Sequence, residues 1–391
     1  MPPPPTSARA GRYLRRSTAD EPFWAFVPHP LPPDPPVAFS PELDGLRDRA
    51  SEALGRLDMV STLLPDAGLF IYFYVRKEAL LSSQIEGTQS SFSDLLLFET
   101  EEAPGVPLAD VEEVSRYVQA MSHGLERIRG GFPLSLRLVR EIHEILLSSG
   151  RGADKAPGEF RRSQNWIGGP RPGRARFVPP PPEEVMGAMG ALEKYLHGIP
   201  AQTPVLIKAA LAHVQFETIH PFLDGNGRVG RLLITFLLCA EGVLSEPMLY
   251  LSLFLKRNRD EYYSLLQRVR TEGAWEEWVE FFLTGVVETA GQAVAAARSI
   301  RELFEADHAA IGSLGRSAGT AGRLHTLLQR RPIVTAAAVS KALDVTATTA
   351  GSALANLMDL GMVREMTGKA RNRMFAYGPY LDILEQGTEP L

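Results

Sequence analysis

The chain has 391 residues, which is too long for one small domain and favours two or three. Hydrophobic residues make up 45% and charged residues 22%, so the composition excludes a wholly disordered or fibrous chain. The formal net charge of −5 excludes a uniformly basic nucleic-acid-binding protein. The single cysteine, Cys239, cannot form an internal disulfide and predicts a reducing, cytoplasmic location.

Residues 1–40 are rich in proline and hold eleven of the thirty prolines in the chain. Closely spaced prolines disfavour helices, so this segment predicts an extended, polyproline-like arm. Its aromatic cluster, Phe23, Trp24 and Phe26, is unusual for a linker, and we expect that part to be docked on the protein. The segment has no apolar core of the kind found in signal peptides, so no secretion signal is expected.

Helical periodicity begins at residue 41 and continues, with two interruptions, to about residue 310. Pro104 and Pro107 form the first interruption, and we divide the helical part there into an N-terminal helical region, 41–108, and a main helical unit, 109–310. The second interruption lies at 160–182, where glycines and prolines separate the short runs NWI and ARFV and predict a hairpin-like loop. The longest apolar stretch, 232–240, has nine residues, about half of what a membrane-spanning helix needs, so no membrane contact is expected.

A different composition begins after residue 310. Residues 311–322 are small and polar and predict a flexible linker. Residues 323–391 predict three short helices and two strands, the pattern of a winged helix. Basic residues in the wing favour contact with DNA phosphates: Arg364, Lys369, Arg371 and Arg373. The presumed recognition helix has no Lys or Arg, so a role in protein interaction or in a homodimer is equally open.

One segment, His220–Arg231 with the sequence HPFLDGNGRVGR, combines the groups that phosphate chemistry needs, and we call it the signature loop. Helical runs flank it, so it leads into a helix N-terminus, where free N–H groups and the helix dipole attract anions. Gly225 and Gly227 allow successive N–H groups to converge on one point.

The side chains of the signature loop supply the remaining groups. Arg228 and Arg231 are spaced to hold phosphate oxygens from one helix. Asp224 offers a hard oxygen ligand to Mg²⁺, and His220 is a base that can be neutral near pH 7. Phosphoryl and nucleotidyl transfer depend mostly on positioning and charge stabilisation, so the loop predicts such a reaction.

Other readings of the signature loop are less favoured. An EF-hand is excluded because the D-x-D-x-D-G spacing and the closing glutamate are missing. A Walker A loop is excluded because no Gly-Lys-Ser/Thr follows. A plain tight turn for Asp-Gly-Asn-Gly is disfavoured because both flanks are helical rather than strands.

The signature loop resembles the motif HxFx[DE]GNGRxxR of Fic (filamentation induced by cAMP) domain proteins, with every specified position present. The resemblance covers most of residues 40–290. It implies a mainly α fold, namely a Fic-type helical core with a short β-hairpin flap, followed here by the C-terminal winged helix. It also implies protein adenylylation, in which AMP passes from ATP, with Mg²⁺ as cofactor, to a Tyr, Ser or Thr hydroxyl of a target protein, self-modification included.

The resemblance implies a role for each residue of the site. His220 would take the proton from the target hydroxyl, Asp224 would hold Mg²⁺, and Phe222 would anchor the loop in the core. The nucleotide would be bound by Gly225, Asn226 and Gly227 at the α-phosphate, by Arg228 at the β-phosphate and by Arg231 at the γ-phosphate. The target chain would add as a strand to the flap, Trp166–Phe177, through Trp166, Ile167, Gly168 and Phe177.

A second motif lies upstream, where Ser82 to Gly87 (SSQIEG) fits the pattern [ST]xxxE[GN]. It resembles the inhibitory helix of Fic proteins, in which the glutamate pairs with the second motif arginine and blocks the γ-phosphate site. Ser82 and Glu86 would share one helix face, and a guanidinium that binds phosphate also binds carboxylate. The expected pair is Glu86 with Arg231; a solvated surface glutamate is the alternative.

The loop chemistry leaves other functions open. The same groups could transfer phosphate or phosphocholine, or remove AMP from a modified protein. A different class is a DNA-binding regulator whose Fic-like core only senses a nucleotide, which the lack of basic residues in the recognition helix disfavours.

Overall fold

The computed structural model describes residues 4–18, 21–63, 67–98, 108–200, 202–368 and 373–390. In these ranges the chain is mostly α-helix, with one two-stranded and one three-stranded sheet. The predicted mainly α fold is therefore confirmed. No helix in the described ranges is both long and apolar enough to cross a membrane.

The elements of the described residues are named here in chain order. The helices are α1 (Pro41–Leu63), α2 (Ala67–Ile85), α3 (Phe92–Phe98), α4 (Leu108–Arg129), α5 (Leu136–Leu146), α6 (Pro182–Leu196), α7 (Val205–Ile219), α8 (Asn226–Ala240), α9 (Ser252–Arg257), α10 (Arg259–Glu272), α11 (Trp275–Gly312), α12 (Ala318–Arg330), α13 (Ala336–Leu343), α14 (Ala347–Asp359) and α15 (Gly378–Leu384). The strands are β1 (Gly11–Thr18), β2 (Glu21–Pro28), β3 (Ile333–Thr335), β4 (Val363–Glu365) and β5 (Met374–Tyr377).

The N-terminal segment differs from the extended arm that its prolines predict. Strands β1 and β2 form an antiparallel hairpin, with Gly11 opposite Pro28 and Thr18 opposite Glu21. The hairpin is compatible with the sequence because the prolines lie near the strand ends or outside the strands, where no ladder hydrogen bond is lost. Phe23 and Phe26 are buried, as expected for a docked aromatic cluster.

Two consecutive helices, α7 and α8, form the centre of the fold and carry the signature loop between them. Every residue of α7 from Leu206 to Ile219 is buried, so other elements surround this helix on all faces. Helices α6 and α11 pack on α7, while α2, α4 and α5 pack on α8. A Cβ added at Gly230 would lie 2.7 Å from Glu217 Oε1, so the two helices are closely packed. The loop thus starts and ends on rigid supports.

The C-terminal residues form the predicted winged helix. Helices α12, α13 and α14 precede an antiparallel sheet with the strand order β3-β5-β4. The sequence predicts β4 and β5 but not β3, which is only three residues long. Of the four basic wing residues, Lys369 and Arg371 lie outside the described residues, and Arg364 is paired with Asp382 at 2.9 Å.

The segment 311–322 is structured rather than an open linker. Helix α11 continues to Gly312, a single 3-10 turn follows at Gly315–Ser317, and α12 begins at Ala318. Ile311 and Ala321 are buried in the apolar core. Small residues predict flexibility only where no contacts fix the chain. Here the core contacts of Ile311 and Ala321 fix both ends of the segment.

Candidate active site

The signature loop begins with a histidine in an uncommon backbone conformation. His220 ends α7 with φ 48° and ψ 61°, the left-handed region, and its N–H donates to Phe216 O at 2.9 Å. Non-glycine residues adopt this region infrequently, so the surrounding packing must hold it. The turn separates the imidazole from the axis of α7 and leaves its side chain 18% exposed.

Phe222 and Asn226 hold the loop in shape. The ring of Phe222 is fully buried, as expected, and stacks on His143 with ring centroids 3.6 Å apart. The Asn226 side chain accepts a hydrogen bond from Phe222 N and donates one to Phe222 O, both at 2.9 Å. Asn226 therefore shapes the loop through its side chain, which leaves its backbone N–H as the group that can face a phosphate.

His143, on α5, is a supporting residue that the motif does not reveal. Its Nδ1 accepts a hydrogen bond from Gly158 N at 2.8 Å, so the proton is on Nε2, which donates to Asp224 O at 3.1 Å. Burial lowers the pKa of His143 to about 4, which keeps the ring neutral. The sequence offers one sign of this role: His143 lies on the same apolar face of an amphipathic helix as Leu138, Val139 and Ile142, which are buried.

The N-terminus of α8 is arranged as an anion site. Gly225 has φ 74° and no side-chain cap covers the first N–H groups of the helix. Asp224 Oδ1 accepts from Gly225 N at 2.5 Å, and this carboxylate is about one-third exposed. Free N–H groups and the helix dipole favour negative charge at this point.

Arg231 contacts Ser82 and Glu86, the two polar residues that the upstream pattern specifies. Its Nε donates to Ser82 Oγ at 2.8 Å, and its Nη2 donates to Ser82 O at 3.0 Å and to Glu86 Oε1 at 2.7 Å. Glu86 follows the last residue of α2, and Gly87, with φ 101°, turns the chain away. Burial opposes ionisation of Glu86, but the charge and hydrogen bond of Arg231, together with the charge of Arg228, outweigh it and lower the pKa of Glu86.

Arg228 is held by two carboxylates. Its Nη1 lies 2.8 Å from Glu113 Oε1, and its Nη2 lies 3.4 Å from Asp224 Oδ1. Glu113 is on α4 and also lies 3.1 Å from Arg151. Burial raises the pKa of Glu113. Nothing in the sequence singles out Glu113, because only the packing of α4 against α8 brings it to the loop.

His220 lies in an electropositive, buried environment that keeps it neutral. Burial, followed by the charges of Arg161 and Arg270, lowers the pKa of His220 to about 3. Arg161 also donates to His220 O at 2.9 Å and to Pro180 O at 2.5 Å, so it fixes the backbone at the start of the loop. The carboxyl group of Glu217 lies 4.0 Å from His220 Nδ1, and its own pKa is raised to about 7 by burial.

The flap lies beside the signature loop. Ile167 and Phe177 form one antiparallel bridge, with N···O distances of 2.8 and 3.1 Å, and Asn165 Nδ2 donates to Phe222 O at 3.0 Å. Phe177 is buried, with the Arg270 guanidinium 3.9 Å from its ring centroid, whereas Trp166 is 38% exposed. The predicted hairpin is therefore present but pairs only at its base.

One cavity of about 530 Å³ brings the predicted groups together. Its lining includes the following predicted residues: Glu86, Trp166, Ile167, Gly168, Phe177, His220, Gly227 and Arg231. The lining does not include Ser82, Gly87, Asp224, Gly225, Asn226 or Arg228. Asp224, Gly225, Asn226 and Arg228 belong to the same loop, at the N-terminal end of α8. The cavity therefore joins a neutral base, an arginine and the flap.

Asp224 is the one carboxylate of the loop that could ligate a metal. No group of three or more His, Cys, Asp or Glu residues in the described part of the chain could hold an ion without other ligands. Mg²⁺ usually binds to one or two carboxylates together with substrate phosphates. A single, partly exposed carboxylate next to an anion site fits that mode of binding.

Comparison with known proteins agrees with the loop and the fold. Residues 46–126 match the Fic/DOC family N-terminal profile, residues 133–238 match the Fic/DOC family profile, and residues 322–378 match an HTH DNA binding domain. The chain is 37% identical over 149 residues to Protein adenylyltransferase Fic of Aedes aegypti and 35% identical over 150 residues to that of Drosophila yakuba. Each match covers 38% of this chain and 27% of the relative, so the chain spans about a quarter of their length.

A bacterial relative and two solved structures extend the comparison. A probable protein adenylyltransferase of Aquifex aeolicus is 29% identical over 205 residues, 52% of this chain and 58% of the relative. A Fic family protein from Desulfovibrio desulfuricans superposes with a TM-score of 0.55 at 19% identity, over 88% of this chain and 97% of that chain. A Fic domain containing signaling protein from Bacteroides thetaiotaomicron gives 0.51 at 19% identity, over 64% and 97%. Together with the complete signature loop, the two profiles identify Fic/DOC family domains at residues 46–126 and 133–238, a match to an HTH DNA binding domain follows at 322–378, and the two solved structures share the fold.

Proposed function

We propose that the chain is a protein adenylyltransferase that transfers AMP from ATP to a hydroxyl group of a target protein. The observation that carries this proposal is the cavity in which a neutral His220, Arg231 and the flap meet. The names of the insect and Aquifex aeolicus relatives favour the same reaction. A base with a lowered pKa beside an anion site is suited to nucleotidyl transfer.

In the proposed reaction, His220 removes the proton from a Tyr, Ser or Thr hydroxyl. The hydroxyl oxygen forms a bond to the α-phosphorus of ATP, the bond to the bridging oxygen breaks, and pyrophosphate leaves. The N–H groups at the start of α8 stabilise charge on the α-phosphate. Arg228 and Arg231 bind the β- and γ-phosphates, and Asp224 would hold Mg²⁺, which supplies additional charge neutralisation.

The proposed resting state is autoinhibited by Glu86. Its carboxylate accepts from Nη2 of Arg231 at 2.7 Å and so engages the guanidinium that a γ-phosphate would need. Arg228 is likewise engaged by Glu113. ATP would therefore have to displace two carboxylates before its phosphates are fully bound, and a poorly seated nucleotide reacts slowly.

Labelled ATP tests this proposal. The native chain and a Glu86→Gly variant are incubated with ATP labelled at the α- or at the γ-phosphate, and the label bound to protein is measured. We expect α-label on protein, self-modification included, and its loss in Glu86→Gly/His220→Ala. Transfer of γ-label instead would establish phosphorylation, and release of AMP from a modified protein without transfer would establish the reverse reaction.

The C-terminal match to an HTH DNA binding domain favours DNA contact as a second proposed property. The recognition helix α14 has no Lys or Arg, so this contact would rest on the wing. Filter binding of the native chain and of Arg364→Ala/Arg373→Ala to duplex DNA tests it. Equal retention by both proteins would argue against a DNA-binding wing.

A further inference from the structure

A second cavity lies on the other side of the flap from His220. It has a volume of about 400 Å³ and is bounded by the N-terminal hairpin, by the second half of the flap up to Phe177, and by Val178 that follows it. The two cavities share Arg176, Phe177 and Gln267 in their linings. We call the second cavity the hairpin groove. A polypeptide held along the flap would pass directly from one cavity to the other.

The hairpin groove is held open by a fixed structure. Phe26 N donates to Val178 O at 2.9 Å, so β2 lies alongside the chain that follows the flap. The ring of Phe26 packs between Tyr13 and Phe177, with centroid distances of 5.2 and 6.3 Å. A salt bridge of 3.0 Å joins Arg171 to Glu21 across the boundary. The hairpin and the flap therefore act as one surface.

The charge of the hairpin groove is positive. Arg15 and Arg176 are its charged lining residues, both are exposed, and the described lining contains no carboxylate. The nearby carboxylates are already engaged, Glu21 by Arg171 at 3.0 Å and Glu183 by Arg16 at 3.0 Å. Neither Arg15 nor Arg176 forms an ion pair among the described residues. Two arginines without counter-charges next to aromatic rings are suited to carboxylate side chains.

We propose that the hairpin groove binds an acidic segment of the target protein, next to the hydroxyl residue that enters the cavity of His220. This inference rests on the proposed function and names the class of target. A polypeptide is favoured over a nucleic acid because the adjoining flap offers the backbone N–H groups of the exposed Gly168 and Gly169 to a chain carbonyl, while their own carbonyls accept from Arg176 N and Trp166 Nε1.

Peptide binding in the absence of ATP tests the groove separately from the chemistry. Short fluorescent peptides carry one central Thr or Tyr, with Asp and Glu on one side or the other, and matched peptides carry Asn and Gln instead. Fluorescence anisotropy measures their binding to the native full-length chain. We expect the acidic peptides to bind about tenfold more tightly, with a preference that declines in high salt.

Charge reversal provides the specific control. In Arg15→Glu/Arg176→Glu the affinity for acidic peptides should fall about ten- to thirtyfold, whereas Arg56→Glu/Arg162→Glu, at two exposed positions outside the groove, should change it little. Thermal unfolding confirms that each variant is folded. Equal binding of acidic and neutral peptides, or equal loss in both double variants, would overturn the proposal.

Two further outcomes separate this inference from the proposed function. A single-stranded oligonucleotide of matched charge that displaces the acidic peptide and binds more tightly would overturn the peptide assignment. Selective binding of acidic peptides by a chain that transfers no AMP would support the hairpin groove as a peptide site and would overturn the proposed adenylyltransferase function. AMP transfer to acidic and neutral peptides at equal kcat/KM would support the adenylyltransferase function and would overturn the proposed role of the groove.

Discussion

The carboxylate of Glu86 lies directly against the α-carbon of Gly227. A Cβ added at Gly227 would overlap Glu86 Oε1 and would come within 3.0 Å of Arg231 Nη1. The glutamate at the end of α2 therefore lies over the N-terminus of α8, where an anion is favoured by the helix dipole. Glu86 thus occupies both the arginine and the helix end that a phosphate would need.

Glu86→Gly is expected to raise the rate of self-labelling from α-labelled ATP. The change frees Arg231 and the end of α8, so that ATP can bind in the reactive position. Correcting a misplacement of about 1 Å in the reacting groups is worth on the order of a hundredfold in rate. We therefore expect the labelling rate to rise by about ten- to a thousandfold. Labelling rates of native, Glu86→Gly and Glu86→Gly/Arg231→Ala proteins measure this. Unchanged labelling in a folded single variant would rule out inhibition by this residue.

Gly227→Ala is expected to remove transfer while leaving the fold intact. The new methyl group would project into the space that Glu86 now fills and that a phosphate would take. In the Glu86→Gly background no carboxylate meets the new methyl group, and alanine suits a helix better than glycine, so there the free energy of unfolding should be unchanged or higher by up to about 1 kcal/mol. The test uses the Glu86→Gly background, in which kcat/KM for ATP should fall at least about tenfold. Full activity there would show that phosphate binds elsewhere.

The pH dependence of transfer should reflect the low pKa of His220. A base acts only when unprotonated, and His220, with a pKa of about 3 in place of about 6.5, stays neutral throughout the usual assay range. Glu86→Gly removes a neighbouring charge that raises the pKa of His220, so the variant keeps it low. We expect kcat/KM for ATP to show no loss from His220 protonation between about pH 8 and pH 6.

Glu217 needs a control in that experiment, because its pKa of about 7 falls within the same range. The profile is therefore measured in Glu86→Gly and in Glu86→Gly/Glu217→Gln. An inflection near the ordinary histidine pKa that persists in the double variant would contradict the assignment of His220 as a base that stays neutral over this pH range.

Asn226→Ala should disrupt the loop more than the fold. The change leaves Phe222 N buried without its partner, which costs about 1–3 kcal/mol of stability, while Phe222 O keeps the hydrogen bond from Asn165 Nδ2. Because the loop carries His220, transfer in the Glu86→Gly background should fall about a hundredfold. Asn356→Ala, on α14 and far from the loop in sequence, is the matched control. Equal activity of the two variants would contradict a shaping role for Asn226.

Deleting residues 386–391 is expected to raise basal transfer a few fold. Gln84, two residues before Glu86, donates to Thr388 O at 2.8 Å, and Lys77 on the same helix donates to Gln386 O at 2.8 Å. Losing these buried bonds loosens the end of α2. A chain ending at Glu389 keeps both bonds and is the control. A deletion variant that labels itself no faster than this control would contradict the idea that residues 386–391 hold the end of α2, and with it Glu86, in place.

The signature loop is predictable because its residues are consecutive. Twelve positions specify the turn, the helix start and the side chains at once, and their order on the chain already fixes most of their geometry. The upstream motif is predictable only through the family resemblance, because Glu86 and Arg231 are 145 residues apart.

The supporting residues escape prediction for a physical reason. Glu113, His143 and Arg161 lie in ordinary helical or loop sequence, and only tertiary packing brings them to the site. The N-terminal hairpin escapes prediction because the prolines of residues 1–40 fall outside β1 and at or near the ends of β2, where they do not prevent strand pairing. Composition describes a segment as a whole, whereas strand pairing depends on where each proline stands.

The length of α11 couples the two ends of the molecule. Its 38 residues span about 57 Å at 1.5 Å per residue. Trp278 near its start is buried in the helical unit, while Phe304 near its end contacts Tyr377 and Tyr380 of the C-terminal unit, at 6.0 and 5.0 Å. The winged helix thus completes its core with a ring supplied by the other unit. Heating should therefore melt both in one cooperative calorimetric transition, and a fragment starting at residue 323 would expose the apolar face that Phe304 covers.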